Sequence, residues 1–151
     1  MAQYVESADF IEEYGEQKFI RLFSFKSAPS DPEPTAEDAK EKFDAVAVAV
    51  SKQIDGYLRR KHTLPLATVP EDLKAVCLEM VHYKGQLKSP SGVVTDPIRN
   101  SYRDCVRWLE QLAEGKVDLG IEPQPTENSD RGPEVDSNER VLTQSRLRGV
   151  I

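Results

Sequence analysis

The chain has 151 residues, 38% hydrophobic and 30% charged, which fits one helical or mixed core with a polar extension. A formal net charge of −6 and a pI of about 5.0 argue against a free-standing phosphate binder, which carries a clear basic patch. Two cysteines, Cys77 and Cys105, are too few for a disulfide framework; both lie in apolar stretches and read as small buried hydrophobes of a reducing compartment.

The opening residues Met1 to Glu6 lack a basic stretch followed by an apolar run, so no signal peptide is expected. Nor does any apolar run approach the roughly 20 residues that span a bilayer. Ser7 is placed to cap a short helix from Ala8, with Phe10, Ile11 and Tyr14 as its apolar side and Gly15 as its stop. A second short helical stretch follows, carrying Phe19, Ile20, Leu22 and Phe23. Ser27 to Pro34 holds three prolines and is expected to be a surface loop.

The next helix has the strongest pattern. Thr35 is a good N-cap, Glu37 and Asp38 favour the positive end of the dipole, and Phe43, Val46, Val50, Ile54, Tyr57 and Leu58 recur at helical spacing. Arg59, Arg60 and Lys61 are expected to close its last turn. About 26 residues would give a helix of roughly 39 Å. Leu64-Pro65-Leu66 is a connector able to pack two leucines. Thr68 and Glu71 have capping-box spacing ahead of a helix bearing Leu73, Val76, Cys77, Met80, Val81 and Leu87. Asp96-Pro97 opens a last helix whose stripe is Ile98, Tyr102, Cys105, Val106, Leu109 and Leu112, with Gly115 as its stop. Val117, Leu119 and Ile121 alternate with polar residues, as a short strand over 116–121 would.

The expected fold is therefore mainly α: a small bundle of about four helices with a long second helix, a strand-like segment and an extended C-terminal tail. Residues 1–121 form the helical domain. Residues 122–151 form an acidic, proline-rich linker ending in Val141, Leu142, Leu147, Val150 and Ile151, with Arg140, Arg146 and Arg148 among them. That ending reads as a docking tail that orders on binding.

Catalytic patterns fail on spacing. Glu79 and His82 share a helix face as in di-iron bundles, but the second pair and further glutamates are missing, so a surface ion pair is expected. Cys77 and His82 do not share a face. Gly115-Lys116 has no upstream glycine at phosphate-loop spacing, and no Gly-x-Ser-x-Gly occurs. No catalytic residue, metal or cofactor is expected. The Arg59-Arg60-Lys61 cluster is either a helix-end charge pattern or a phosphate contact. Trp108 is a core-edge or interface aromatic.

The order of these pieces resembles the Mu-like phage head–tail connector, or neck, proteins. The matching residues are Tyr4 through Asp9, Tyr14-Gly15-Glu16, Phe19-Ile20, Ile54-Asp55-Gly56-Tyr57-Leu58 with Arg60 and Leu64-Pro65-Leu66, then Pro70, Leu73 and Tyr83. Tyr102, Trp108-Leu109, Ala113 and Gly115 to Gly120 complete the set. Before Tyr83 the family usually carries arginine; here it is His82. The resemblance implies a non-enzymatic virion protein of the neck, passing through the host cytoplasm during assembly. It implies a homo-oligomeric ring, expected to be a dodecamer, beneath the portal protein. DNA would pass through the ring without specific binding, and a further neck or tail protein would sit below. Interface candidates are Arg59, Arg60, Lys61, Trp108, Val141, Leu142, Leu147, Arg148, Val150 and Ile151. Composition and helix pattern alone equally suit a helical interaction module with a regulatory role, acting as a monomer or dimer.

Overall fold

The computed structural model describes residues 3–26 and 28–121. Its elements are α1 (Ser7–Tyr14), α2 (Glu16–Phe23), α3 (Ala36–Leu58), α4 (Glu71–Lys88) and α5 (Asp96–Glu114). The mainly helical expectation holds, with two short helices ahead of three long ones. Helix α3 touches every other helix and forms the centre of the fold.

Its start is fixed locally. Thr35 Oγ1 accepts from the Asp38 N–H at 3.2 Å, while the Asp38 carboxylate accepts from the Thr35 N–H at 2.7 Å. The Thr35 N–H and, at 2.8 Å, the Thr35 hydroxyl both donate to the Asp38 carboxylate and hold it below its ordinary range. Every turn of α3 then contributes to the core: Phe43, Val46, Val50, Ile54 and Leu58 are all buried. Phe10, Phe19 and Phe23 of the two short helices close over Phe43. Phe23 and Phe43 meet edge-on with centroids 5.3 Å apart, and Phe10 and Phe43 likewise at 5.7 Å. Gly85 lets α4 approach this cluster, since a Cβ there would lie 2.8 Å from Phe23 Cζ.

The arm before α1 is stitched to α3. Tyr4 and Val5 are buried. The Tyr4 N–H donates to Ser51 Oγ at 3.3 Å and its hydroxyl donates to the Asp55 carboxylate. On the other side of the bundle, Tyr83 and Tyr102 stack with centroids 4.2 Å apart. Gln53 donates to the Tyr102 hydroxyl and accepts from Lys84, which joins α3, α4 and α5.

Several boundary expectations are corrected. Glu6, not Ser7, stands at the N-cap of α1, its backbone N–H donating to the Asp9 carboxylate at 2.7 Å. Helix α3 has 23 residues, about 35 Å, and ends at Leu58. Arg59 is its C-cap, and Arg60 and Lys61 lie in the turn beyond rather than in the last helical turn. Pro70 takes the N-cap of α4, so Glu71 is already the first helical residue and Thr68 stands too far back to cap. Thr95 precedes α5, which places Asp96 inside the helix. Leu87 faces outward at 51% exposed.

Residues 116–121 form no strand, and no strand occurs among the described residues. Val117 and Leu119 are half-buried against the helical core instead. A strand needs a ladder partner, and among the described residues none lies beside this segment. Gly115 ends α5 in the left-handed region at φ 80°.

Candidate interaction surface

Among the described residues, the sequence-derived interface candidates do not converge on one spot. Arg59, Arg60 and Lys61 are all exposed at the end of α3. Arg60 lines a groove between α3 and α5 opposite Glu110 and Glu114. Lys61 crosses over Gly115, where its Nζ occupies the space that a Cβ would take. Arg60 and Lys61 are thus directed at the C-terminal end of α5, Arg60 toward carboxylates, rather than at an open phosphate site. Trp108 is half-buried on the opposite flank of α5, beside Val76 and Cys105 of the α4–α5 seam, a core-edge position. Val141, Leu142, Leu147, Arg148, Val150 and Ile151 lie outside the described residues.

A strongly charged depression lies between α1 and α4. Asp9, Glu12, Glu13, Glu71 and Glu79 rim it, with Lys74 as its one lining cation, and Leu78 and Ala75 form part of its floor. Tyr14 closes one end. Its phenol is held above its ordinary pKa, first by burial and then by the nearby Glu79 carboxylate.

Beneath Tyr14 lies His82, and here the sequence expectation is overturned. His82 is not half of a surface ion pair. It is 7% exposed, with Tyr14 at 4.7 Å and Phe10 at 6.2 Å between ring centroids. Burial lowers its pKa, Lys18 lowers it further, and Glu79 opposes them. Glu79 instead accepts from the Ser101 hydroxyl at 2.7 Å. The residues that cover His82 are remote in sequence, so no local pattern announces the contact.

The cysteines behave as small hydrophobes. Burial pushes the Cys77 thiol up to about 12 and the Cys105 thiol up to about 11. Among the described residues, no group of three His, Cys, Asp or Glu side chains is arranged to hold a metal, and no helix is long and apolar enough to cross a membrane.

The family model described as Bacteriophage Mu, Gp36 matches residues 4–137. The chain belongs to this phage Mu Gp36 family. Among its relatives is Gene product J of Escherichia phage Mu, 34% identical over 119 residues, covering 79% of this chain and 77% of the relative. Another is the Mu-like prophage FluMu protein gp36 of Haemophilus influenzae, 29% identical across the full length of both chains.

The segments that carry the resemblance to this phage family occupy structural positions. Tyr4 bonds to Asp55, and Ile54 and Leu58 are buried on either side of that carboxylate. Tyr83 stacks on Tyr102. Leu64, Leu66 and Tyr57 pack against the core edge. These residues lie in the core or in the contacts that tie the described helices together.

Proposed function

We propose that the chain is a structural virion protein of the head–tail connector: a ring-forming adaptor beneath the portal that extends the DNA channel and joins head to tail. The observation that carries this reading is the match of the Mu Gp36 family model over residues 4–137, together with the neck-protein resemblance of Ile54 to Leu66. The fold suits the role. Three long helices stand side by side, and their polar outer faces are available as flanks for copies of the same chain. Head-to-tail contacts between such flanks close into a ring when the rotation per subunit fits. An existing portal ring would template that rotation. DNA passes through the ring, and its negative charge keeps phosphates from sticking. The protein turns over no substrate and carries no cofactor in this reading.

Mixing the purified chain with the portal oligomer of the same virion, followed by native mass spectrometry, tests the proposal. A discrete complex with one copy per portal subunit is the expected result. A chain that stays monomeric or dimeric and ignores the portal overturns the adaptor reading in favour of a helical interaction module.

A further inference from the structure

We infer that, in the ring, the outward face of α5 in one copy docks into the acidic groove between α1 and α4 of the next. This rests on the ring reading and names the two surfaces that meet.

The α5 face is defined by position. Arg103 and Arg107 lie two residues before and after the buried Cys105, which at 100° per residue turns both away from the core. Both are exposed, and among the described residues neither makes an ion pair or a side-chain hydrogen bond. Arg99 continues the stripe but is held by Asp96 at 3.0 Å within the same copy. Two uncommitted guanidinium groups one turn apart form a helix face in want of carboxylates.

The groove offers them. Glu12 and Glu13 are exposed on α1 and, among the described residues, enter no salt bridge. Glu71 and Glu79 of the groove wall are engaged within the copy, by Lys74 at 3.7 Å and Ser101 at 2.7 Å, which leaves Glu12 and Glu13 as the free carboxylates. Guanidinium forks bind carboxylates bidentately and fix orientation as well as affinity. The arginine stems have the Leu78 and Ala75 floor to lie on. In a ring, the α5 face of one copy meets the groove of the next while its own groove receives a third copy, so the contact is heterologous and propagates from copy to copy.

Charge reversal on the full-length chain tests this, with portal-templated ring formation followed by native mass spectrometry and circular dichroism as a check on folding. R103E/R107E and E12K/E13K are each expected to lower ring occupancy at least tenfold while keeping the helical spectrum. Combining all four substitutions is expected to restore it. Wild-type occupancy in R103E/R107E, or no recovery in the combined variant, overturns the inference while the ring reading stands. Rescue of E12K/E13K by R140E/R146E/R148E instead would give the groove to the C-terminal arginines and also overturn it. Rings of R103E/R107E that form normally but retain less DNA would assign the α5 face to phosphate, with the same consequence. A wild-type chain that forms no ring on the portal defeats the ring reading itself, and with it this one.

Discussion

The Tyr4 hydroxyl donates to the Asp55 carboxylate, and this bond fastens the first described residues of the chain to the last turn of α3. Burial, followed by the Asp55 hydrogen bond and charge, holds the Tyr4 phenol far above its ordinary pKa, so it remains a donor at any physiological pH. Hydrogen bonds to charged groups contribute roughly 1.5–3 kcal/mol. Tyr4→Phe keeps the ring in the core and removes only the hydroxyl. It is expected to lower unfolding free energy by about 1.5 kcal/mol, at the lower end because half-buried Asp55 can rehydrate. Urea denaturation of the two chains measures the difference. A loss under about 0.3 kcal/mol would show that the bond contributes little to stability.

Two glycines of the long helices should respond to alanine in opposite directions. Gly56 of α3 has nothing within 4 Å of a built Cβ and no positive φ, so Gly56→Ala gains helix propensity, about 0.5–1 kcal/mol. Gly85→Ala gains the same propensity but drives a methyl to 2.8 Å from Phe23, which is buried and clamped by Phe10, Phe19 and Phe43. Overpacking of that kind costs about 1–3 kcal/mol, so the net effect is destabilising. Thermal melts should place the variants on either side of the parent. A stabilised Gly85→Ala would mean that α4 can move away from the aromatic cluster at little cost.

Much of this fold is legible in the sequence because its signals are local. Thr35 and Asp38 sit at cap spacing, and Phe43, Val46, Val50, Ile54 and Leu58 recur once per turn; each is found where the pattern puts it. The misses arise where a non-local partner decides. Val117 and Leu119 alternate like a strand, but alternation specifies only which side faces inward; with no neighbouring strand among the described residues they pack on helices. Thr68 and Glu71 have the spacing of a capping box, but Pro70 starts the helix between them. His82 reads as polar surface until Tyr14 lies over it. The groove and the α5 face escape for a related reason. Arg103 and Arg107 look like an ordinary solvated stripe, and Glu12 and Glu13 like an acidic helix end, until folding sets Glu71 and Glu79 beside the latter.

The buried His82 gives stability a defined pH dependence. Its folded pKa lies below the unfolded value near 6.5. The unfolded chain therefore binds a proton first as pH falls. The stability contributed by neutral His82 is complete above about pH 6.5 and declines as pH drops toward the folded pKa. Lys18 favours the neutral ring and Glu79 the charged one, with burial the largest influence. His82→Phe keeps an aromatic under Tyr14 and cannot be protonated. Its stability curve should be flatter than the parent's between pH 6.5 and 5. Parallel curves for the two chains would place the titrating group elsewhere.

The two thiols supply the last prediction. With pKa values of about 12 and 11, Cys77 and Cys105 hold almost no thiolate at pH 8, and the thiolate is the species that attacks alkylating reagents. Both side chains are also shielded, Cys77 fully and Cys105 at 8% exposed. Reaction with iodoacetamide must therefore wait for opening of the α3–α4–α5 core. In native buffer both sites are expected to alkylate at least a hundredfold more slowly than in denaturant, where the thiol pKa returns to about 8.5. Cys105 should be the faster, because it lies at the seam beside half-buried Trp108 and Val76. Mass spectrometry of a time course resolves the two sites. Equal, slow rates would mean that the core opens as one unit; rapid labelling of Cys105 alone would mean that α5 lifts from α4 while α3 stays packed.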